Sequence, residues 1–169
     1  PRMSQQAISN PDQAPMTELL DQPAPDIALP ATGDQTISLA DLRGQILVLY
    51  FYPRDNTPGC TREGEAFRDQ YEQFREAGAE ILGVSRDSVQ KHKNFRAKYD
   101  FPFHLLADTE ETACRAFGVL REKTMYGRKS IGIERSTFLI DDQGVIRREW
   151  RGVSVKGHAD EVLQAIGEL

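Results

Sequence analysis

The run Ile46-Leu47-Val48-Leu49-Tyr50-Phe51 constrains the fold more than any other stretch. It is unbroken, apolar, and rich in β-branched and aromatic residues, and its length suits a strand buried on both faces. Directly after it Pro53, Pro58 and Gly59 punctuate the chain, and then the period changes: Phe67, Tyr71 and Phe74 recur at helical spacing. Extended backwards by whole turns, that stripe reaches Gly64 and then Cys60. The spacing therefore predicts Cys60 on the first turn of a helix, facing the protein, with Gly64 one turn above it and Pro58 close to the first helical position. A thiol there meets unpaired backbone N–H groups and the positive end of the helix dipole, which favour the nucleophilic thiolate. Taken without its surroundings, the same cysteine reads as a small buried hydrophobe.

The flanking elements follow from similar patterns. Residues 1–16 are polar and read as a flexible tail, in part an expression remnant, with Met3 or Met16 as natural starts. The structured part is expected over 17–169 as one domain. Ile27-Ala28-Leu29 and Gln35 to Leu39 flank the turn Ala31-Thr32-Gly33-Asp34 and predict an N-terminal β-hairpin. Gly78 caps the Cys60 helix, and Ile81 to Ser85 follows as a second buried strand. Asp87 or Ser88 caps a helix carrying Val89, His92, Phe95 and Tyr99 on one face. Phe101 to Leu106 is a third strand, and Asp108 and Glu111 open a short helix with Ala113, Cys114 and Phe117. Thr137 to Ile140, the turn Asp141 to Gly144, and Val145 to Trp150 predict a second hairpin, and Val162, Leu163 and Ile166 mark a closing amphipathic helix. Alternation of strands and helices followed by a late hairpin and helix matches an α/β layer fold of the thioredoxin type, a central mixed sheet flanked by helices.

Composition excludes several classes of function. A formal net charge of −5 leaves no basic excess to neutralise phosphates, so no nucleic-acid partner is expected. Arg62, Arg68 and Arg75 alternate with acids and read as a solvated helix face. No apolar run approaches a membrane span, and the first residues lack a signal-peptide core, so a cytoplasmic protein without a membrane partner is expected. The two cysteines, Cys60 and Cys114, are too few for a disulfide framework and have no neighbours at zinc-ligand spacing, so neither a metal nor another cofactor is expected. His92, His104 and His158 carry no catalytic pattern, and Gly127-Arg128-Lys129-Ser130 lacks the first glycine of a phosphate loop.

Pro53-x-x-x-Thr57-x-x-Cys60 resembles the signature of the peroxiredoxins, and Phe51-Tyr52-Pro53 with Thr57-Pro58-Gly59-Cys60-Thr61 is similar to the PrxQ, or bacterioferritin comigratory protein, branch. The similarity runs on through Met125 to Lys129, Arg135 to Asp141 and Lys156 to Asp160, and so covers the chain from about Thr17 to its end. The resemblance implies a thiol peroxidase in which the Cys60 thiolate attacks the O–O bond of hydrogen peroxide or a small organic hydroperoxide and becomes a sulfenic acid. It implies that Thr57 accepts from the peroxide and donates to the thiolate while also serving as an N-cap, that Pro53 walls the pocket, and that Arg135 holds the thiolate and orients the peroxide. Backbone N–H groups near Gly59 and Cys60 would complete the oxyanion site. Glu63 matches a position that buttresses the arginine, or is an ordinary helix-start carboxylate. Trp150 reads as core.

The chain departs from the branch at its second cysteine. Members that carry a resolving cysteine have it five positions after the first, where Glu65 stands, or on the next helix near Arg96. The only other thiol is Cys114, either a buried structural residue or a resolving partner reached by local unfolding. A one-cysteine mechanism is expected, with thioredoxin, glutaredoxin or glutathione as external reductant and a monomer or weak homodimer as the working state. The rival readings are a thioredoxin-like thiol-disulfide oxidoreductase and a non-catalytic binding or holdase protein on the same scaffold. Against the first, the place of the second cysteine of Cys-x-x-Cys is Glu63.

Overall fold

A computed structural model describes residues 18–169, so the N-terminal tail expected over 1–16 lies outside the described residues. The central run becomes β3 (Ile46–Phe51), preceded by the hairpin β1 (Ala28–Ala31) and β2 (Gln35–Ser38). The chain continues through α1 (Pro58–Asp69), α2 (Tyr71–Glu76), β4 (Ala79–Ser85), α3 (Val89–Lys98), β5 (His104–Ala107) and α4 (Thr112–Ala116). It ends with β6 (Leu120–Met125), β7 (Arg128–Ile133), β8 (Ser136–Ile140), β9 (Ile146–Arg151) and α5 (His158–Ile166). Seven strands form one mixed sheet in the order β2-β1-β5-β4-β3-β8-β9, with β3, β4 and β5 parallel and the remaining pairs antiparallel. This is a thioredoxin-like fold with an N-terminal hairpin.

Strand alternation divides the core into two layers, one on each face of the sheet. Leu47, Leu49 and Phe51 of β3 face a cluster with Leu29, Val84, Cys114, Phe117 and Phe138. Val48, Tyr50 and Tyr52 face the other way, into a cluster with Cys60, Phe67, Phe74, Phe95 and Val162. A strand with side chains buried on both faces needs apolar residues at every position, which is why β3 shows no polar alternation.

Two expectations are corrected, one open alternative is decided and one element is added. The helical stripe from Cys60 to Phe74 is interrupted: Gln70 leaves helical geometry at φ −112°, ψ 10°, and a second short helix begins at Tyr71. The third strand starts at His104 rather than Phe101, because the Phe101 N–H is taken by the carbonyl of Arg96 and Phe103 presents its carbonyl to the Arg96 guanidinium. Ser88, not Asp87, caps α3, accepting from the N–H of Lys91 at 3.2 Å. The exposed hairpin of β6 and β7 was not anticipated, since its strands are mostly charged and polar and bury little; Tyr126 and Gly127 at positive φ make its turn.

Candidate active site

The site is assembled where β3 ends. The N–H of Tyr52 makes the last ladder bond, to the carbonyl of Val84 at 3.0 Å, and Pro53, which has no N–H, ends the pairing and lies half-buried in the turn. The chain crosses Arg54 to Thr57 and enters α1 at Pro58, so Cys60 stands on the first turn as its spacing predicts. The Cys60 side is buried against the Tyr50 and Phe67 layer. Gly64, one turn further, is required by packing: a Cβ there would come within 2.9 Å of the Cε carbons of Phe101.

Arg135 arrives from the far end of the sequence. Ser136 pairs with Phe51 in the antiparallel register of β8 on β3, which sets the preceding residue beside the end of β3. Its backbone carbonyl accepts from the N–H of Val153 at 2.9 Å, and its side chain spans the cysteine and a carboxylate. Nη2 donates to Cys60 Sγ at 3.6 Å and Nη1 to Glu63 Oε1 at 2.6 Å. Gly59 lets the guanidinium lie this close, since a Cβ at that residue would sit 3.0 Å from Nη2.

The charges are strongly coupled. The Glu63 side chain is only 2 % exposed, and its Oε2 is buried without a hydrogen-bond partner. Burial raises its pKa from 4.5 to about 7, against the pull of the Arg135 charge and hydrogen bond. Burial alone would lower Arg135, but the charges of Glu63 and Cys60 more than offset it, and the guanidinium stays protonated.

Thr57 occupies the N-cap position but does not cap with its side chain: its hydroxyl donates to the carbonyl of Arg54 at 2.9 Å. The expectation that its side chain would cap the helix is therefore corrected. Its hydrogen is committed backwards into the turn, and its lone pairs remain for an incoming donor.

Cys114 belongs to the opposite layer. It is fully buried on α4 among residues of the Phe117 cluster, and the carboxylate of Asp108 accepts from the N–H groups of Ala113 and Cys114 at 3.0 and 2.7 Å. Burial pushes its thiol far above the ordinary range, and the neighbouring Asp108 adds to the shift. Both cysteines are free thiols. Glu65 and Arg96, where a resolving cysteine stands in other members of the branch, lie on α1 and α3, and Arg96 holds the carbonyl of Phe103. Trp150 packs against the Phe67 layer, with its indole edge-on to His158.

A family model described as the AhpC/TSA family matches residues 20–149. The chain belongs to the AhpC/TSA family, in its peroxiredoxin Q branch. It is 47 % identical to peroxiredoxin Bcp of Bacillus subtilis over 154 residues, 91 % of this chain and 98 % of that one. The fold superposes on peroxiredoxin Q of Xanthomonas campestris with a TM-score of 0.82 at 47 % identity, covering 92 % of this chain and 95 % of the other. A second structure from that organism, of the bacterioferritin comigratory protein in a trapped intermediate/ligand complex, concerns alkyl peroxide reduction and matches with the same TM-score and identity over 92 % and 96 % of the two chains. This peroxiredoxin is accordingly a thiol-dependent peroxidase, an enzyme that reduces peroxide at the expense of a thiol. Among the described residues, no helix of the peroxiredoxin is long and apolar enough to cross a membrane.

Sequence reasoning left three residues near the site unassigned. Tyr52, Asp55 and His92 form a buried hydrogen-bonded group under the turn that carries Pro53 and Thr57. His92 was legible as inward-facing from its spacing with Val89 and Phe95, but its partner lies 37 residues away in the chain, and no local pattern joins them.

Proposed function

We propose that Cys60 is the peroxide-reactive thiol and that this protein follows a one-cysteine cycle. The sulfur attacks the terminal oxygen of hydrogen peroxide or a small organic hydroperoxide. The O–O bond breaks, the leaving oxygen departs as water or an alcohol after taking a proton, and Cys60 becomes a sulfenic acid. An external thiol then condenses with the sulfenic acid, releasing water, and a second thiol attacks the mixed disulfide to return the Cys60 thiolate.

The observation that carries this reading is the bridge from Arg135 to both Cys60 and Glu63. Glu63 fixes one side of the guanidinium, so the other can stabilise negative charge on sulfur and on the leaving oxygen without moving. Thr57 accepts from the peroxide, the N–H groups around Gly59 and Cys60 support the oxyanion, and Pro53 limits water beside the sulfur. The burial of Cys114 in the opposite layer supports an external reductant such as thioredoxin, glutaredoxin or glutathione. Organic hydroperoxides are included because the related Xanthomonas campestris protein is studied for alkyl peroxide reduction. Two free thiols fit a cytoplasmic setting, where such thiols are kept reduced, and a monomer or weak homodimer is the working state.

Cys60→Ser tests the reading: peroxide consumption should disappear while the far-ultraviolet circular dichroism and melting temperature persist. Retained turnover in that variant would favour a non-catalytic or otherwise catalytic scaffold. Insulin reduction at rates comparable to a dithiol oxidoreductase would favour the thioredoxin-like alternative.

A further inference from the structure

The turn that carries Pro53 and Thr57 is anchored by charged groups outside the cysteine–arginine constellation. Asp55 is buried, and its carboxylate is shared: Tyr52 Oη donates to Oδ1 at 2.6 Å, and His92 Nδ1 lies 2.7 Å from Oδ2. The second ring nitrogen, His92 Nε2, lies 2.7 Å from the carbonyl of Leu106 in β5. A carbonyl has no hydrogen to give, so Nε2 carries one, and the imidazole is held at both ends. The Asp55 N–H donates to Asp87 Oδ2 at 2.8 Å, and Ser85 Oγ donates to the same oxygen at 2.6 Å.

Asp55, Asp87 and His92 bring ligand-type atoms within 4.8 Å of one another, but these atoms are engaged in the bonds just described. The group reads as a brace and not as a cation site. A second tie joins the same turn to α3, where Asn56, at φ +61°, accepts from Tyr99 Oη at 3.2 Å and Lys98 Nζ at 3.4 Å. Thr57 follows at once, and its hydroxyl is oriented by the carbonyl of Arg54 within the braced segment.

We propose that Asp55 and His92 are positioning residues for peroxide reduction: they clamp the turn to α3 and β5 so that Thr57 and Pro53 stand at the correct place over Cys60. The inference rests on the reading of Cys60 as the peroxide-reactive thiol. Peroxide attack needs the reacting atoms aligned, and a displacement near 1 Å can cost on the order of a hundredfold in rate. Alkylation by iodoacetamide needs only an ionised, reachable sulfur and is indifferent to where Thr57 points.

The experiment measures the second-order rates of Cys60 with hydrogen peroxide and with iodoacetamide in wild type, Asp55→Ala, Asp55→Asn and His92→Gln. Asp55→Ala should lose about 10- to 100-fold in the peroxide rate, and the iodoacetamide rate should not fall with it. Asp55→Asn should stay within about threefold of wild type for both reagents. Its Oδ1 still accepts from Tyr52, and its amide N–H meets Nδ1 of a neutral imidazole that keeps its hydrogen for Leu106. His92→Gln keeps an N–H for Leu106 but abandons Asp55, so it should behave like Asp55→Ala, and it serves in place of that variant should Asp55→Ala not fold. Peroxide rates within twofold of wild type in folded Asp55→Ala and His92→Gln, or a parallel loss towards both reagents in them, would overturn the proposal. Those results would leave the role of Cys60 untouched, because that role is tested separately by Cys60→Ser.

Discussion

At the scale of single residues, the carboxylate of Glu63 illustrates how the site is held together at some cost. It is buried with one oxygen unpartnered, and its pKa is raised by burial from 4.5 to about 7. Between those values the folded protein retains a proton that the unfolded chain has released, so its contribution to stability is full below about 4.5 and is lost as pH rises through about 7. The loss is on the order of 3 kcal/mol. Glu63→Gln should flatten that part of the stability profile, measured by urea unfolding at a series of pH values. Sequence alone shows that Glu63 is one helical turn from Cys60, hence on the same side of α1. It does not show that Arg135 lies across both, since that requires the register of β8 on β3.

At the scale of elements, α1 is positioned by what it lacks as well as by what it buries. Its apolar side presents Cys60, Gly64 and Phe67, and the missing Cβ of Gly64 is filled by the ring of Phe101 from the segment after α3. Gly64→Ala adds a carbon that the ring must yield to, and overpacking of this kind costs about 1–3 kcal/mol. The expected result is a lower midpoint in urea with an unchanged dependence on denaturant. The helix was legible because Phe67 and Phe74 repeat at helical spacing and Pro58 suits a first turn. The break at Gln70 was not, for neither proline nor glycine marks it. The hairpin of β6 and β7 was hidden for the opposite reason: it buries so little that no alternating pattern is imposed on it, and only the Tyr126-Gly127 turn gives a local signal.

At the scale of the whole molecule, the sheet keeps the two thiols in separate layers. Bridging them requires Cα atoms within ~7 Å, which residues packed on opposite faces reach only by large rearrangement. After one equivalent of peroxide, non-reducing peptide mapping should find Cys114 as a free thiol and no Cys60–Cys114 peptide. Cys114→Ser should retain turnover within about twofold while losing roughly 1–3 kcal/mol of stability to a poorly paired buried hydroxyl. The sequence by itself determined the buried strand, the proline–glycine turn, the cysteine on a first helical turn and the family to which they belong, because each is expressed over a few neighbouring residues. Only the tertiary structure decided that Arg135 bridges Cys60 and Glu63, that His92 braces Asp55, and that Cys114 lies in the other layer. Those relations join residues far apart in the chain, and strand register and sheet sidedness, which no local pattern encodes, bring them together or hold them apart.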